Sequence, residues 1–147
     1  MSDPILGTII DTDAPTEPEL DEPIQLLIAD DDPQTRELLA QTLSDLGFNV
    51  VAEASDGTGA CLQARSADPE VVLMDMRMPD IGGIQAARMI KAEQPRIQVL
   101  ILSAYAEEFD ALEAELAGVA TLLTKSAPLG QIADAIRAAA AEYRSSD

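Results

Sequence analysis

A short apolar run in the middle of the chain reads Val71-Val72-Leu73-Met74-Asp75-Met76-Arg77-Met78-Pro79. This run is too short for a buried helix, and a Val/Leu/Met stretch closed by proline is typical of a central parallel strand covered on both faces. Ligands of open α/β sheets bind outside the carboxyl ends of the strands, where the strand order reverses. We therefore expect Asp75 to be the central functional residue, although an aspartate here would also suit a purely structural turn.

Strand and helix patterns alternate about five times from residue 24 onward, which predicts a parallel α/β sheet. The predicted strands cover residues 24–29, 48–54, the run ending at Asp75, 97–102 and 119–123. The predicted helices cover residues 33–46, the stretch through Cys61 and Leu62, and residues 84–94, 107–117 and 128–143. On the first helix, one face carries the apolar side chains, and we expect it to pack on the sheet. These residues are Leu38, Leu39, Thr42, Leu43 and Leu46.

The composition excludes several classes of function. The 147 residues, 47% of them hydrophobic, suit one compact domain. A net charge of -18 repels nucleic acid phosphates and anionic membrane surfaces, so we expect neither as a partner. The chain has no histidine, which excludes Ser-His or Cys-His nucleophile pairs and phosphohistidine chemistry within it. Cys61, the only cysteine, cannot form an intrachain disulfide and is expected to be a small buried apolar residue.

Residues 1–23 form a segment of a different kind. They hold seven acidic residues, four prolines and no basic residue, which is typical of a disordered acidic tail. A short docking motif within it is the alternative, because Ile5-Leu6 and Ile9-Ile10 are apolar. Residues 24–147 would then form the folded domain. A cytoplasmic location is expected, since the chain shows neither a signal peptide nor a transmembrane run.

Polar side chains follow four of the predicted strands and should meet at one sheet edge. They are Asp30 and Asp31 after the first strand, Asp75 after the third, Ser103 after the fourth and Lys125 after the fifth. Two carboxylates about 4 Å apart repel by roughly 4 kcal/mol at an effective dielectric of 20, so three of them require a cation or a proton. Mg²⁺ favours such hard oxygen ligands and leaves positions for phosphate oxygens. A carboxylate beside this metal can attack phosphorus, while a hydroxyl and an ammonium hold the other phosphoryl oxygens.

With these motifs, the chain from Ile24 to about Arg144 resembles the receiver domain of two-component response regulators. The resemblance rests on Asp30-Asp31, on Asp75-Met76-Arg77-Met78-Pro79 with Gly83, on Ser103-Ala104 and on Lys125. It implies a doubly wound five-stranded parallel sheet of order 2-1-3-4-5 with five helices. No further domain follows in the sequence, so we expect a stand-alone receiver.

The resemblance also implies roles for the site residues. Asp75 would be the phosphoacceptor, and Ser103 and Lys125 would contact the phosphoryl group. Asp75, Asp31 and the backbone carbonyl of Arg77 would bind Mg²⁺, with Asp30 acting through water. The chain would be no enzyme beyond catalysing its own phosphotransfer and dephosphorylation.

The partners implied by the resemblance are proteins. A histidine kinase or a phosphotransfer protein would supply the phosphoryl group, because the chain has no histidine of its own. The output would pass to a protein that the sequence does not identify. The surface of the fourth helix, fifth strand and fifth helix would make this contact, and could also form a homodimer.

Two positions depart from the family pattern. Leu122 stands where the family usually has an inward-swinging Tyr or Phe, so a rotating aromatic switch is not expected there. Ser126 stands where the family often has a cis proline after the lysine. A non-proline cis bond costs about 2.5 to 4 kcal/mol, so a trans bond is expected.

Three other classes of function fit the sequence less well. An adaptor that keeps the fold and is never phosphorylated would have no need of all five polar residues at the edge. A metal-dependent phosphohydrolase would require a general acid two residues after Asp75, where Arg77 stands. A flavin-binding protein would require a Ser/Thr-rich phosphate loop, which the sequence lacks.

Deletion of residues 1–23 tests the predicted boundary of the domain. We expect the melting temperature of the shortened chain to stay nearly unchanged, because the segment offers little to a hydrophobic core. Thermal unfolding followed by circular dichroism measures this. A large drop would show that Ile5-Leu6 or Ile9-Ile10 docks on the domain.

Overall fold

The computed structural model describes residues 22–105 and 111–146. Within these ranges, five strands alternate with five helices. The strands are β1 (Gln25–Ala29), β2 (Asn49–Ala54), β3 (Val71–Asp75), β4 (Gln98–Ser103) and β5 (Thr121–Thr124). The helices are α1 (Pro33–Asp45), α2 (Gly57–Ala67), α3 (Gly83–Glu93), α4 (Ala111–Ala117) and α5 (Leu129–Ser145). The predicted tail lies outside the described residues except for Glu22 and Pro23, as does the predicted start of α4 at residues 107–110.

The strands form one parallel sheet in the order β2-β1-β3-β4-β5. This order confirms the predicted doubly wound α/β fold. The strand order reverses between β1 and β3, which are hydrogen-bonded neighbours. The carboxyl ends of these two strands therefore border the crevice in which such folds bind ligands.

Helices cover both faces of the sheet. Side chains alternate between the two faces along each strand, so each buried strand contributes apolar side chains to both. On one face, Leu26, Ile28 and Leu73 pack with residues of α1 and α5. On the other face, Leu27 and Met74 pack with residues of α2 and α3. All five residues of β3 are buried, which explains its continuous apolar sequence.

The predicted apolar face of α1 is wrong in part. Leu43 is fully buried and Leu39 packs against the core beside it, but Leu38 is 69% exposed and Leu46 is 45% exposed. At 3.6 residues per turn, Leu38 lies about 140° around the helix from Leu43. The helix therefore meets the sheet through Leu39, Ala40 and Leu43.

The predicted burial of Cys61 is confirmed. Cys61 is buried on α2, and Ala87 and Ile90 of α3 are buried against the same face of the sheet. Among the described residues, no helix combines the length and the apolar character needed to cross a membrane.

The start of α3 lies very close to the end of β3. A Cβ atom added to Gly83 would overlap the backbone carbonyl oxygen of Asp75 and lie 3.1 Å from the Cα of Met76. The amide of Gly83 also donates to the carbonyl of Met76 at 2.8 Å. Only glycine permits this approach, which closes the loop of residues 76–82 directly after Asp75.

Replacing this glycine tests the close approach. Gly83→Ala should lower the free energy of unfolding by about 1–3 kcal/mol, because the added methyl group meets backbone rather than a flexible side chain. Gly130→Ala in α5 is the matched control, since a Cβ there meets no atom within 4 Å. It should stabilise the protein by about 0.5–1 kcal/mol. Urea unfolding of both variants gives these values, and equal effects would contradict the packing described.

Candidate functional site

The carboxyl ends of four strands bring the predicted polar residues to one edge of the sheet. Asp30 and Asp31 directly follow β1, Asp75 ends β3, Ser103 ends β4 and Lys125 directly follows β5. One carboxylate oxygen each from Asp30, Asp31 and Asp75 lie within 4.8 Å of one another. The three predicted carboxylates thus form one cluster at the reversal of the strand order.

Lys125 links two of these carboxylates. Its Nζ lies 2.8 Å from Oδ2 of Asp30 and 3.3 Å from Oδ2 of Asp75. Both aspartates are buried, whereas Asp31 is exposed. A buried carboxylate without a partner would be strongly destabilising, so the ammonium group balances charge that burial makes costly.

Asp30 is held on several sides. Its Oδ1 accepts the amide of Asp32 at 2.9 Å, and its carbonyl oxygen accepts a hydrogen bond from Nη1 of Arg36 at 2.7 Å. Arg36 also pairs with Glu53 at 3.2 Å. Asp32 in turn caps α1 by accepting the amide of Thr35 at 3.2 Å. The start of α1 therefore fixes the Asp30 side of the cluster.

Asp75 is held more loosely. Its Oδ1 accepts the amide of Arg77 at 3.4 Å, and the amide of Met76 donates to the carbonyl of Leu102 at 2.8 Å. Burial raises the pKa of the Asp75 carboxyl above its ordinary value, and the neighbouring Asp30 charge raises it further, against the opposing effect of Lys125. Burial also disfavours the charged form of Lys125, but the contacts with Asp30 and Asp75 outweigh it and raise its pKa.

The hydroxyl of Ser103 bonds to the loop that follows β4. Ser103 is fully buried, and its Oγ donates to the carbonyl of Tyr105 at 3.0 Å and accepts the Tyr105 amide at 3.3 Å. Its backbone carbonyl accepts the amide of Lys125 at 2.7 Å. Ser103 thus lies at the predicted edge and joins the loops after β4 and β5.

The two unusual positions flank the end of β5. Leu122 is partly buried and packs against the apolar cluster that contains Val99 and Ile101. Ser126 shares a hydrogen bond of 3.1 Å with the hydroxyl of Thr124. Tyr105, on the neighbouring loop, is 62% exposed.

The acidic cluster suits a divalent cation. Three carboxylates supply hard oxygen ligands, and one of them is exposed at the edge of the sheet. Lys125 supplies only one positive charge against these three negative charges. The donor set therefore fits Mg²⁺, which takes one or two carboxylates and keeps water at its other positions.

Comparison with known proteins agrees with this geometry. Residues 26–137 match the family model described as the response regulator receiver domain. The chain belongs to this family. Its curated relatives include the response regulator GacA of Pseudomonas protegens strain CHA0, 37% identical over 78% of this chain and 54% of that protein. The receiver structure of the regulator NarL from Mycobacterium tuberculosis is also similar, with a TM-score of 0.74 and 33% identity over 82% of this chain and 98% of that one.

A second curated relative is an enzyme by its name. It is the protein-glutamate methylesterase/protein-glutamine glutaminase 2 of Anaeromyxobacter dehalogenans, 40% identical over 80% of this chain and 35% of that protein. The chain spans about half the length of the GacA relatives and about a third of this one. The shared part is the receiver domain, which occurs both in a response regulator and in an enzyme among these relatives.

The sequence does not reveal two contacts made near the site. Arg36 bonds to the carbonyl of Asp30, and Asp80, in the loop after β3, bonds to the start of α2. Arg36 carries a weak sequence signal, because it is the first basic residue after the acidic pair and lies one turn into α1. Asp80 carries none, since its partners lie 23 and 22 residues away.

Removal of the Lys125 charge tests its electrostatic role. In chelator, Lys125→Met should lower the free energy of unfolding by about 2–4 kcal/mol, because it leaves two buried carboxylates without the cation that they share. Arg137→Met is the matched control, since Arg137 pairs with Asp134 at 3.0 Å on the exposed surface. That change should cost less than about 1 kcal/mol. If urea unfolding gave similar losses of stability for both variants, the ion pairs of Lys125 would contribute no more than an exposed pair.

Proposed function

We propose that this protein is a phosphoacceptor switch of a two-component phosphorelay, with Asp75 as the residue that receives the phosphoryl group. The observation that carries the proposal is the arrangement of Asp30, Asp31 and Asp75 around one edge of the sheet with Lys125 bridging two of them. Burying an acidic cluster around one shared ammonium group lowers the stability of the fold. Such a cluster therefore indicates a chemical function rather than a structural one.

Asp31, Asp75 and the backbone carbonyl of Arg77 would hold Mg²⁺, with Asp30 acting through water. The bound metal would neutralise the carboxylates at rest and stabilise the phosphoryl charge that develops during transfer. The chain's own residues would supply the nucleophile and a positive charge for the phosphoryl group. Asp75 is buried next to Lys125, so an attacking oxygen and an ammonium group lie side by side.

In the transfer step, a carboxylate oxygen of Asp75 attacks the phosphorus of the donor. A new oxygen–phosphorus bond forms, the phosphorus–nitrogen bond of a phosphohistidine breaks, and its electron pair leaves with the imidazole. Lys125 would move from Asp30 toward the added phosphoryl oxygens, because these carry the greater charge. Ser103 would donate to another phosphoryl oxygen once its hydroxyl turns from the carbonyl of Tyr105.

The donor would be a histidine kinase or a phosphotransfer protein, since the chain has no histidine. The output would be a contact with another protein in the cytoplasm, with no role for nucleic acid or membrane binding by this chain. The surface of α4, β5 and α5 suits this contact, because Leu112 and Leu116 of α4 are 67% and 75% exposed. These two leucines lie one turn apart, so they form a single apolar strip that could also mediate a homodimer.

The competing proposal is an adaptor that binds partners without phosphorylation. Such a protein would gain no advantage from burying Asp30 and Asp75 together, and apolar residues would stabilise the fold better at these positions. The chain covers only 35% of the methylesterase relative, so this likeness does not support a catalytic activity on a free substrate.

Intact-mass spectrometry with acetyl phosphate tests the proposal. Wild type should gain one phosphoryl group with Mg²⁺ and none in chelator. Asp75→Asn should gain none, because it keeps the shape and loses the nucleophile. Asp31→Asn should require a higher Mg²⁺ concentration, because it keeps the nucleophile and removes one carboxylate.

Asp134→Asn is the matched control for the loss of one negative charge, since Asp134 is exposed on α5. It should be labelled like the wild type. A phosphoryl group that persisted in Asp75→Asn, or that formed equally well in chelator, would overturn the assignment and favour the adaptor.

A further inference from the structure

The loop between β3 and α3 is fastened to the start of α2 by one side chain. Asp80 accepts the amide of Gly57 at 3.1 Å through Oδ1 and the amide of Thr58 at 3.2 Å through Oδ2. These amides belong to the first turn of α2, where backbone N–H groups have no partner within the helix. Both oxygens of one carboxylate thus bridge two elements that lie more than twenty residues apart.

The backbone around Asp80 is shaped for this contact. Asp80 adopts a φ of 67°, a left-handed conformation that is uncommon outside glycine but tolerated by aspartate. A Cβ atom added to Gly57 would overlap the backbone oxygen of Ile81, so the loop lies directly against the helix start. A hydrogen bond with the side chain of Thr58 makes the largest contribution to keeping the pKa of Asp80 below its ordinary value. The hydrogen bond from the amide of Ile81 makes the second largest.

The same loop carries Arg77 and directly follows Asp75, the last residue of β3. It begins at Met76 and closes where the amide of Gly83 bonds to the carbonyl of Met76. The amide of Arg77 reaches Oδ1 of Asp75 at 3.4 Å, a long hydrogen bond that a small shift of the loop would break. Three apolar loop residues, Met76, Met78 and Ile81, pack on the core below. Such apolar packing is non-directional, whereas the two hydrogen bonds of the Asp80 carboxylate are directional and tie this part of the loop to α2.

We propose that Asp80 is a positioning residue for the metal site, acting by fastening the loop that carries the Arg77 carbonyl to the first turn of α2. This inference rests on the proposed function, because it assigns a support to the Mg²⁺ site proposed above. Outer contacts that orient metal ligands commonly change affinity by 10- to 100-fold when removed. The expected consequence is a weaker Mg²⁺ site without any change in the carboxylate ligands.

The chain offers a matched control at the same helix end. Asp56 is the N-cap of α2, and its Oδ1 accepts the amide of Gly59 at 2.6 Å. Asp56 and Asp80 therefore cap one helix with one carboxylate each, but only Asp80 belongs to the loop after β3. Replacement of either by glycine removes a cap, and glycine accepts the left-handed φ of Asp80 without strain.

The test measures the Mg²⁺ dissociation constant of the full chain by isothermal titration calorimetry. Asp80→Gly should raise this constant about tenfold, whereas Asp56→Gly should change it less than twofold despite a comparable loss in melting temperature. Asp80→Asn should fall between wild type and Asp80→Gly, because its single amide oxygen can still accept one of the two hydrogen bonds. If Asp80→Gly fails to fold, the comparison of Asp80→Asn with Asp56→Asn decides the matter in the same way.

Hydrogen exchange without Mg²⁺ gives a second readout. Amides of residues 76–82 should exchange faster in Asp80→Gly and remain unchanged in Asp56→Gly. The inference alone is overturned if wild type and Asp80→Gly bind Mg²⁺ equally, or if Asp56→Gly weakens binding as much. A wild type that binds no Mg²⁺ would overturn the proposed metal site as well.

Discussion

The ammonium group of Lys125, shared by two buried carboxylates, is the interaction on which the site depends. Lys125 follows β5, whereas Asp75 ends β3, so the lysine side chain crosses the end of β4 to reach its partners. Adjacent strands lie about 4.8 Å apart, and the reach therefore spans about two strand spacings. Only a long, flexible cation can do this. The bond between the Lys125 amide and the Ser103 carbonyl fixes the start of that reach, so the geometry of the site depends on the pairing of β4 with β5.

The sequence predicts this sheet because burial on both faces leaves a strong signal. Val71, Val72, Leu73 and Met74 are almost fully buried, and no polar residue interrupts them. Helix α1 is different, since apolar residues cover much of its circumference. Which stripe of α1 meets the sheet depends on how the helix lies across the twisted strands, and periodicity alone does not determine it. The apolar pattern therefore predicts burial for Leu38, although the structure exposes it.

The same distinction separates the parts of the site that the sequence reveals from those that it hides. Asp30, Asp75, Ser103 and Lys125 each end or directly follow a strand, and parallel strand ends meet at one edge whatever the side-chain details. Their convergence is therefore a property of the topology. Asp80 contacts α2 only because a loop folds back on a helix, and no period or motif in the sequence encodes that approach. The supports of a site are harder to predict than its ligands for this reason.

The two sides of the cluster are anchored to different degrees, and this difference bears on how a switch could act. Asp30 is fixed by the amide of Asp32, by Arg36 at its carbonyl and by Lys125. Asp75 has the long contact with Arg77 and a shared lysine. A charge added at Asp75 would therefore act mainly on the contacts of Asp75 itself, which are Lys125 and the loop after β3, while the amide of Asp32 and Arg36 hold Asp30 in place. With 27 acidic and 9 basic residues, the chain has few cations to redistribute. The movement of one ammonium group is then a large local change, because no second cation contacts Asp75 among the described ion pairs.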